Sequence, residues 1–219
     1  MSAYFLVYFA DPMCSWCYGF GPELEALLLD RPGLRVDLVM GGLRPYSTEK
    51  ATPEFREMIA GHWQHVAKES GLPFNEAALA REGFVYDTEP ACRAVVAVRA
   101  MDTARALPYM KLVQRAFYAE GRDVTDPDVL ADLAADAGLD RAVFLAAHAS
   151  AEARDAVRQD FAATQQTGVT GFPTLAAGYP GQRYFLVSAG FARAAELASQ
   201  LERIHDIASI DAAPDRPES

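Results

Sequence analysis

The 219-residue sequence predicts an α/β fold in which a βαβ unit is followed by an all-helical block and then by an αββα unit. Three observations carry that reading. Apolar strand-like runs at residues 4–9 and 34–40 flank one amphipathic stretch. Residues 52–150 hold repeated helix-start signals without a strand pattern. Two further strand-like runs lie between helical stretches beyond residue 168.

Each element has its own signal. Tyr4-Phe5-Leu6-Val7-Tyr8-Phe9 is aromatic and branched, as a buried strand requires. Leu24, Leu27 and Leu28 share one face of a helix expected over Gly21–Leu29, and Pro32-Gly33 stops it. Leu34–Met40 alternates Leu and Val with Arg35 and Asp37, giving a second strand that the short crossover makes parallel to the first. Thr52 caps and Pro53 opens a helix bearing Phe55, Met58, Ile59, Trp63 and Val66, up to Gly71. Further starts stand at Asn75 before Glu76, Thr88 before Glu89-Pro90, Asp126 before Pro127 and Asp140 before Arg141, with stops at Gly121 and Gly138. About four or five short helices are therefore expected between Thr52 and Ser150. Ser150 caps a long helix ending near Gly168. Thr174–Ala177 and Tyr184–Ser188 predict an antiparallel pair around Gly178-Tyr179-Pro180-Gly181. A last helix from Phe191 to Ile207 places Leu197, Leu201 and Ile204 on one side, and the polar stretch Asp211–Ser219 reads as a disordered tail.

Composition narrows the function. Hydrophobic residues at 51% and charged residues at 23% describe a globular chain, not a disordered or fibrous one. Thirty acidic against twenty basic residues give a net charge of −10. A surface of that sign repels phosphate backbones and anionic headgroups, so nucleic-acid and membrane binding are excluded as functions. The early apolar run Ala3–Ala10 is too short to span a bilayer. No Lys or Arg precedes it, the first basic residue being Arg31, and it leads into Asp11-Pro12, so a cytoplasmic protein is expected.

The odd cysteine set, Cys14, Cys17 and Cys92, points to reactive or metal-binding thiols before a disulfide framework. Cys14-Ser15-Trp16-Cys17 sits where the first strand hands over to the first helix. Unpaired N–H groups and the macrodipole favour an anion there, so the first thiol is expected to hold more thiolate. The second thiol lies almost one turn on and can attack a mixed disulfide formed by the first. A zinc site would need two further ligands from Cys92, His62 and His65, but the two histidines have only two residues between them, so no metal is expected. They read instead as a partly exposed helix face beside Trp63. Cys92 shares a face with Val95 and Val96 and reads as a buried thiol packed as a small hydrophobe, the alternative being an auxiliary redox cysteine. Thr167-Gly168-Val169-Thr170-Gly171-Phe172-Pro173-Thr174 puts a proline at the start of the third strand.

The two motifs taken together, Asp11-Pro12-Met13-Cys14-Ser15-Trp16-Cys17-Tyr18-Gly19-Phe20 and Gly168-Val169-Thr170-Gly171-Phe172-Pro173-Thr174, resemble the DsbA-like branch of the thioredoxin superfamily. The chain is similar in particular to its cytosolic FrnE-like group, described as predicted protein-disulfide isomerases. The resemblance implies a thioredoxin-like fold over residues 1–51 and 150–210 with a helical insertion at 52–149. It implies that Cys14 is the exposed nucleophile, Cys17 the buried resolving thiol, and Pro173 a cis-proline facing the pair. Phe172 would offer its backbone to substrate, and Trp16 would sit at the site. Ser15-Trp16 replaces the Pro-His dipeptide of the periplasmic enzymes, and Tyr8 stands where they carry a buried acid, with Asp11 as a substitute candidate.

The function implied is thiol–disulfide oxidoreduction, as reductase or isomerase, on protein or small-molecule disulfides. No cofactor is implied beyond glutathione as a redox partner. The alternatives are a glutathione-dependent isomerase or transferase of the kappa or chromene-carboxylate isomerase type, against which the intact cysteine pair counts, and a redox-sensitive binding module.

Overall fold

A computed structural model describes residues 4–181 and 183–211. Four strands, β1 (Phe5–Ala10), β2 (Val36–Met40), β3 (Thr174–Gly178) and β4 (Tyr184–Ala189), form one sheet in the order β2-β1-β3-β4. β1 and β2 are parallel, while β1–β3 and β3–β4 are antiparallel. α1 (Ser15–Leu29) joins the first two strands. Six helices follow: α2 (Pro53–Ser70), α3 (Ala77–Ala80), α4 (Glu89–Met101), α5 (Thr103–Tyr118), α6 (Pro127–Asp136) and α7 (Arg141–Ala149). α8 (Ala151–Gln166) leads back to the sheet, and α9 (Ala194–Asp211) closes the described chain. The fold is thioredoxin-like. The tail expected at 211–219 lies, beyond Asp211, outside the described residues.

Three boundaries differ from expectation, each for a local reason. α1 begins at Ser15 rather than Gly21, because Cys14 caps it and the helix runs through Gly19, Gly21 and Pro22. Gly19 is where α1 and α2 approach: a Cβ there would lie 2.9 Å from Val66 Cγ1. The helical stretch holds six helices because Asp102 ends α4 and caps α5, accepting from the N–H of Ala104 at 3.0 Å. α9 starts at Ala194, not Phe191. Its first turn is closed by Glu196, whose carboxylate accepts from the N–H of Arg193, half of a capping box without a Ser or Thr.

Alternation along β1 sends Leu6, Tyr8 and Ala10 into the main core with Phe20, Leu24 and Leu27 of α1. Val7 and Phe9 point to the other face, where Val39 of β2 and Ala163 of α8 share a cleft with them. The edge strand β2 is fixed by α8 and α4. Asp160 accepts from the N–H of Met40 at 2.8 Å and pairs in bidentate fashion with Arg99, which also donates to the Leu38 carbonyl. The buried cluster runs without a break from Leu6 to Phe144, so sheet and helices share one core.

His148 of α7 belongs to that core. It stacks on Phe144, and its Nε2 lies 3.0 Å from the Pro90 carbonyl. Burial lowers its pKa from 6.5 to about 4. A histidine held neutral stabilises the fold above its unfolded pKa, and that stability is lost as pH falls toward 4. Urea unfolding between pH 6.5 and 4 is expected to show falling stability, with a shallower slope in His148→Gln.

Candidate active site

The site is built where β1 ends and α1 begins. Cys14 has extended backbone angles (φ −92°, ψ 117°) and occupies the N-cap of α1, a place usually held by Ser, Thr, Asp or Asn. Its sulfur accepts the N–H of Cys17 at 3.4 Å, so a thiol does the capping. The same sulfur lies 3.5 Å from the carbonyl oxygen of Phe172, which brings the two sequence motifs together across the fold. All three cysteines are free. Cys14 keeps 5% of its surface, whereas Cys17 and Cys92 have none.

Cys17 sits one turn down α1, against β1. Burial raises its pKa well above the thiol range, and the neighbouring Cys14 adds to the rise; the Asp11 backbone N–H acts the other way. The Tyr8 side chain faces it from β1, with its ring 5.7 Å from that of Phe20.

The Phe172–Pro173 bond is cis, as the resemblance predicts. Pro173 is buried, and its carbonyl accepts the N–H of Gly190 at 2.7 Å, pinning the loop to the end of β4. The Phe172 ring lies over Gly41, immediately after β2. A Cβ on Gly41 would come within 2.1 Å of that ring, so only glycine admits it. Val169, Thr170, Phe172 and Leu186 line a groove of about 510 Å³ beside the loop.

Asp11 organises the loop before Cys14. It is fully buried; Oδ1 accepts the N–H of Met13 at 2.8 Å, and Oδ2 accepts the N–H of Leu43 at 2.7 Å. Cys92 of α4 donates its thiol proton to the same Oδ2 at 3.3 Å. Cys92 is therefore more than a packed hydrophobe: its sulfur completes the shell of a buried carboxylate. Burial raises the pKa of Asp11, opposed by these donors, and raises that of Cys92 well above the usual thiol range. From the segment before α4, Tyr86 donates to the Met13 carbonyl at 2.5 Å and lies 3.4 Å from Tyr118.

Trp16 is half-buried at the mouth of the site, edge-on to His65 at 5.5 Å and tilted against Phe191 at 5.6 Å. Thus α2 brings His65 against Trp16, and both His65 and His62 remain exposed on that helix. Among the described residues no group of three or more His, Cys, Asp or Glu is arranged to hold a metal ion. Tyr86 and Gly41 escaped the sequence reading. A tyrosine in a loop carries no motif, and a glycine's need appears only when its neighbour is known.

A thioredoxin-like sheet whose first helix opens on a Cys-x-x-Cys motif, facing a cis-proline loop, defines the thioredoxin-fold class of proteins. More narrowly, the chain belongs to the DSBA-like thioredoxin domain family, which it matches over residues 6–202. It is similar to a provisionally named protein disulfide isomerase from Nitrosomonas europaea at 36% identity, with a TM-score of 0.87, covering 94% of this chain and 99% of that one. A cytosolic disulfide reductase, DsbM from Pseudomonas aeruginosa, is 29% identical with a TM-score of 0.75, over 92% of this chain and 98% of that one; it has also been solved with glutathione. A 2-hydroxychromene-2-carboxylate isomerase shares the fold, with a TM-score of 0.67 at 18% identity over 95% of this chain and all of that one. None of the curated proteins matches the chain.

Two outcomes follow from the site. Brief iodoacetamide treatment of the reduced protein at neutral pH is expected to label Cys14 first, as read by peptide mass spectrometry; earlier labelling of Cys17 or Cys92 contradicts the burial order. Gly41→Ala is expected to cost about 1–3 kcal/mol in urea unfolding, because the Phe172 ring must be displaced.

Proposed function

We propose that the protein is a cytoplasmic thiol–disulfide oxidoreductase with Cys14 and Cys17 as its working pair. One observation carries this reading: the Cys14 sulfur caps α1 within 3.5 Å of the Phe172 carbonyl, with Cys17 buried one turn below. Cys14 thiolate attacks a substrate disulfide, forming a mixed disulfide and releasing one substrate thiolate. Cys17 then attacks the Cys14 sulfur, forming the Cys14–Cys17 bond and releasing the second substrate thiol. The substrate gains two electrons and the protein pair loses them.

Substrates are protein or small-molecule disulfides, entering along the groove beside the Phe172–Pro173 loop. The stretch 52–149 acts as an insertion that shapes this access, with His65 and Trp16 forming one wall. Similarity to a cytosolic disulfide reductase that has been solved with glutathione supports work in the reducing direction, with glutathione regenerating the dithiol. No metal or other cofactor takes part.

The test is reduction of insulin and of a mixed glutathione disulfide by the protein, with glutathione as reductant. Cys14→Ser is expected to fall to background. Cys17→Ser is expected to stall as a covalent mixed disulfide on Cys14, visible in the intact mass. Turnover on a small aromatic substrate that survives Cys17→Ser would instead favour the isomerase type of reaction.

A further inference from the structure

Tyr8 lies in the second strand of the sheet order, paired with Leu38 on one side and Leu175 on the other, so its side chain is fixed by a central strand. Only 1% of the residue is exposed, and its ring is packed against Phe20. Its hydroxyl is enclosed yet makes no well-formed hydrogen bond among the described residues. Enclosed hydroxyls are normally satisfied, so this one calls for a partner that some state of the protein supplies. The groups it faces are Cys17 and, beyond it, Cys14.

The surroundings of Cys17 show what is needed there. The titratable groups that act most on it are Cys14 and the Asp11 carboxylate, both of which disfavour its charge, and Cys17 in turn acts on the Tyr8 phenol. Behind Asp11 stands Cys92 of α4, and on the other side Tyr86 and Tyr118 face Cys14. The Asp11 carboxylate already accepts from Met13, Leu43 and Cys92, and its charge opposes charge on Cys17. The donors that face the Cys17 sulfur are then the Asp11 backbone N–H and the Tyr8 hydroxyl.

We infer that the Tyr8 hydroxyl donates a hydrogen bond to the Cys17 sulfur while that sulfur carries negative charge, and so promotes resolution of the mixed disulfide. The inference rests on the thiol–disulfide reading above. In this step Cys17 forms a bond to the Cys14 sulfur, the bond between Cys14 and the substrate sulfur breaks, and the proton lost by Cys17 ends on the departing sulfur. Tyr8 keeps its own proton. Burial holds its phenol well above the usual range, so it remains a donor throughout the working pH range.

The test is a single-turnover reaction of the reduced protein with one equivalent of dithiobis(nitrobenzoate). Attack by Cys14 releases the first thionitrobenzoate, and attack by Cys17 releases the second. In Tyr8→Phe the first phase is expected to stay within about twofold. The second is expected to slow about tenfold, equivalent to 1.36 kcal/mol, with its pH midpoint raised by about one unit. Thermal melting should be unchanged or higher, since only an unpaired hydroxyl is removed. Tyr8→3-fluorotyrosine, a stronger donor of nearly the same shape, should move the second phase the opposite way. A second phase unchanged in both variants overturns the inference while leaving the cysteine pair intact. A wild-type protein without any second phase overturns the thiol–disulfide reading itself.

Discussion

The carboxylate of Asp11 is wholly enclosed, and donors from three segments converge on it: Met13 from the turn before α1, Leu43 from the turn after β2, and Cys92 from α4. Enclosing a carboxylate costs several kcal/mol in general, and only such a shell makes it tolerable. The remaining cost shows in the raised pKa. A carboxylate of that kind stabilises the fold most at low pH and loses this advantage as pH rises through its folded pKa. Burial therefore works against the charged form of Asp11, and the donors around it work for that form. What Asp11 secures is geometry, because Met13 is the residue before Cys14 and Leu43 follows the Gly41-Gly42 turn on which Phe172 packs.

The stretch between β2 and α8 takes part in that geometry. Tyr86 holds the Met13 carbonyl, Cys92 completes the shell of Asp11, and Arg99 with Asp160 ties the end of β2 to α4 and α8. An aromatic group comprising Trp63, Phe74, Phe117 and Tyr118 packs around Tyr86 and Tyr18, with Tyr18 stacked on Tyr118 at 5.1 Å. The helices are thus the second jaw of a clamp whose first jaw is the sheet. A thiol at a helix N-cap needs such support. Sulfur is a poor hydrogen-bond acceptor, and the 3.4 Å contact with Cys17 alone would leave the turn loosely defined.

The elements with local signals were legible. Both strands of the βαβ unit, the caps at Thr52, Asp126, Asp140 and Ser150, and the antiparallel pair near the end follow from residues that act on their immediate neighbours. Boundaries set by other means were not. α1 starts early because a cysteine caps it, and the split of α4 from α5 turns on the single residue Asp102. In the site, Cys14, Cys17, Phe172 and Pro173 were legible as two motifs far apart in sequence. Their meeting was legible only by resemblance, since nothing local says that Phe172 approaches Cys14. Asp11 was singled out as a carboxylate near Cys17, but its partners Leu43 and Cys92, 32 and 81 residues away, have no sequence signature of contact.

Cys17 and Cys92 show how neighbours, not burial, separate the roles of two thiols. Both are fully enclosed, and burial raises both pKa values well above the usual range. By exposure alone they are equivalent. Cys92, however, gives its proton to an acceptor: its hydrogen bond to Asp11 is formed by the neutral thiol, and a charge on its sulfur would face the charge of the carboxylate. The Gly42 backbone N–H acts the other way, but burial and the Asp11 carboxylate outweigh it and favour the protonated state. Cys17 has a different arrangement, with the Asp11 N–H directed at its sulfur and the Tyr8 hydroxyl facing it without another partner. These are donors, and donors favour charge on sulfur. Its deprotonation is opposed chiefly by burial and then by Cys14; in the proposed cycle a mixed disulfide on Cys14 would leave the burial in place while removing the competing charge of that sulfur. On the thiol–disulfide reading proposed above, the same enclosure keeps Cys92 protonated beside Asp11 and holds Cys17 in reserve until Cys14 has reacted.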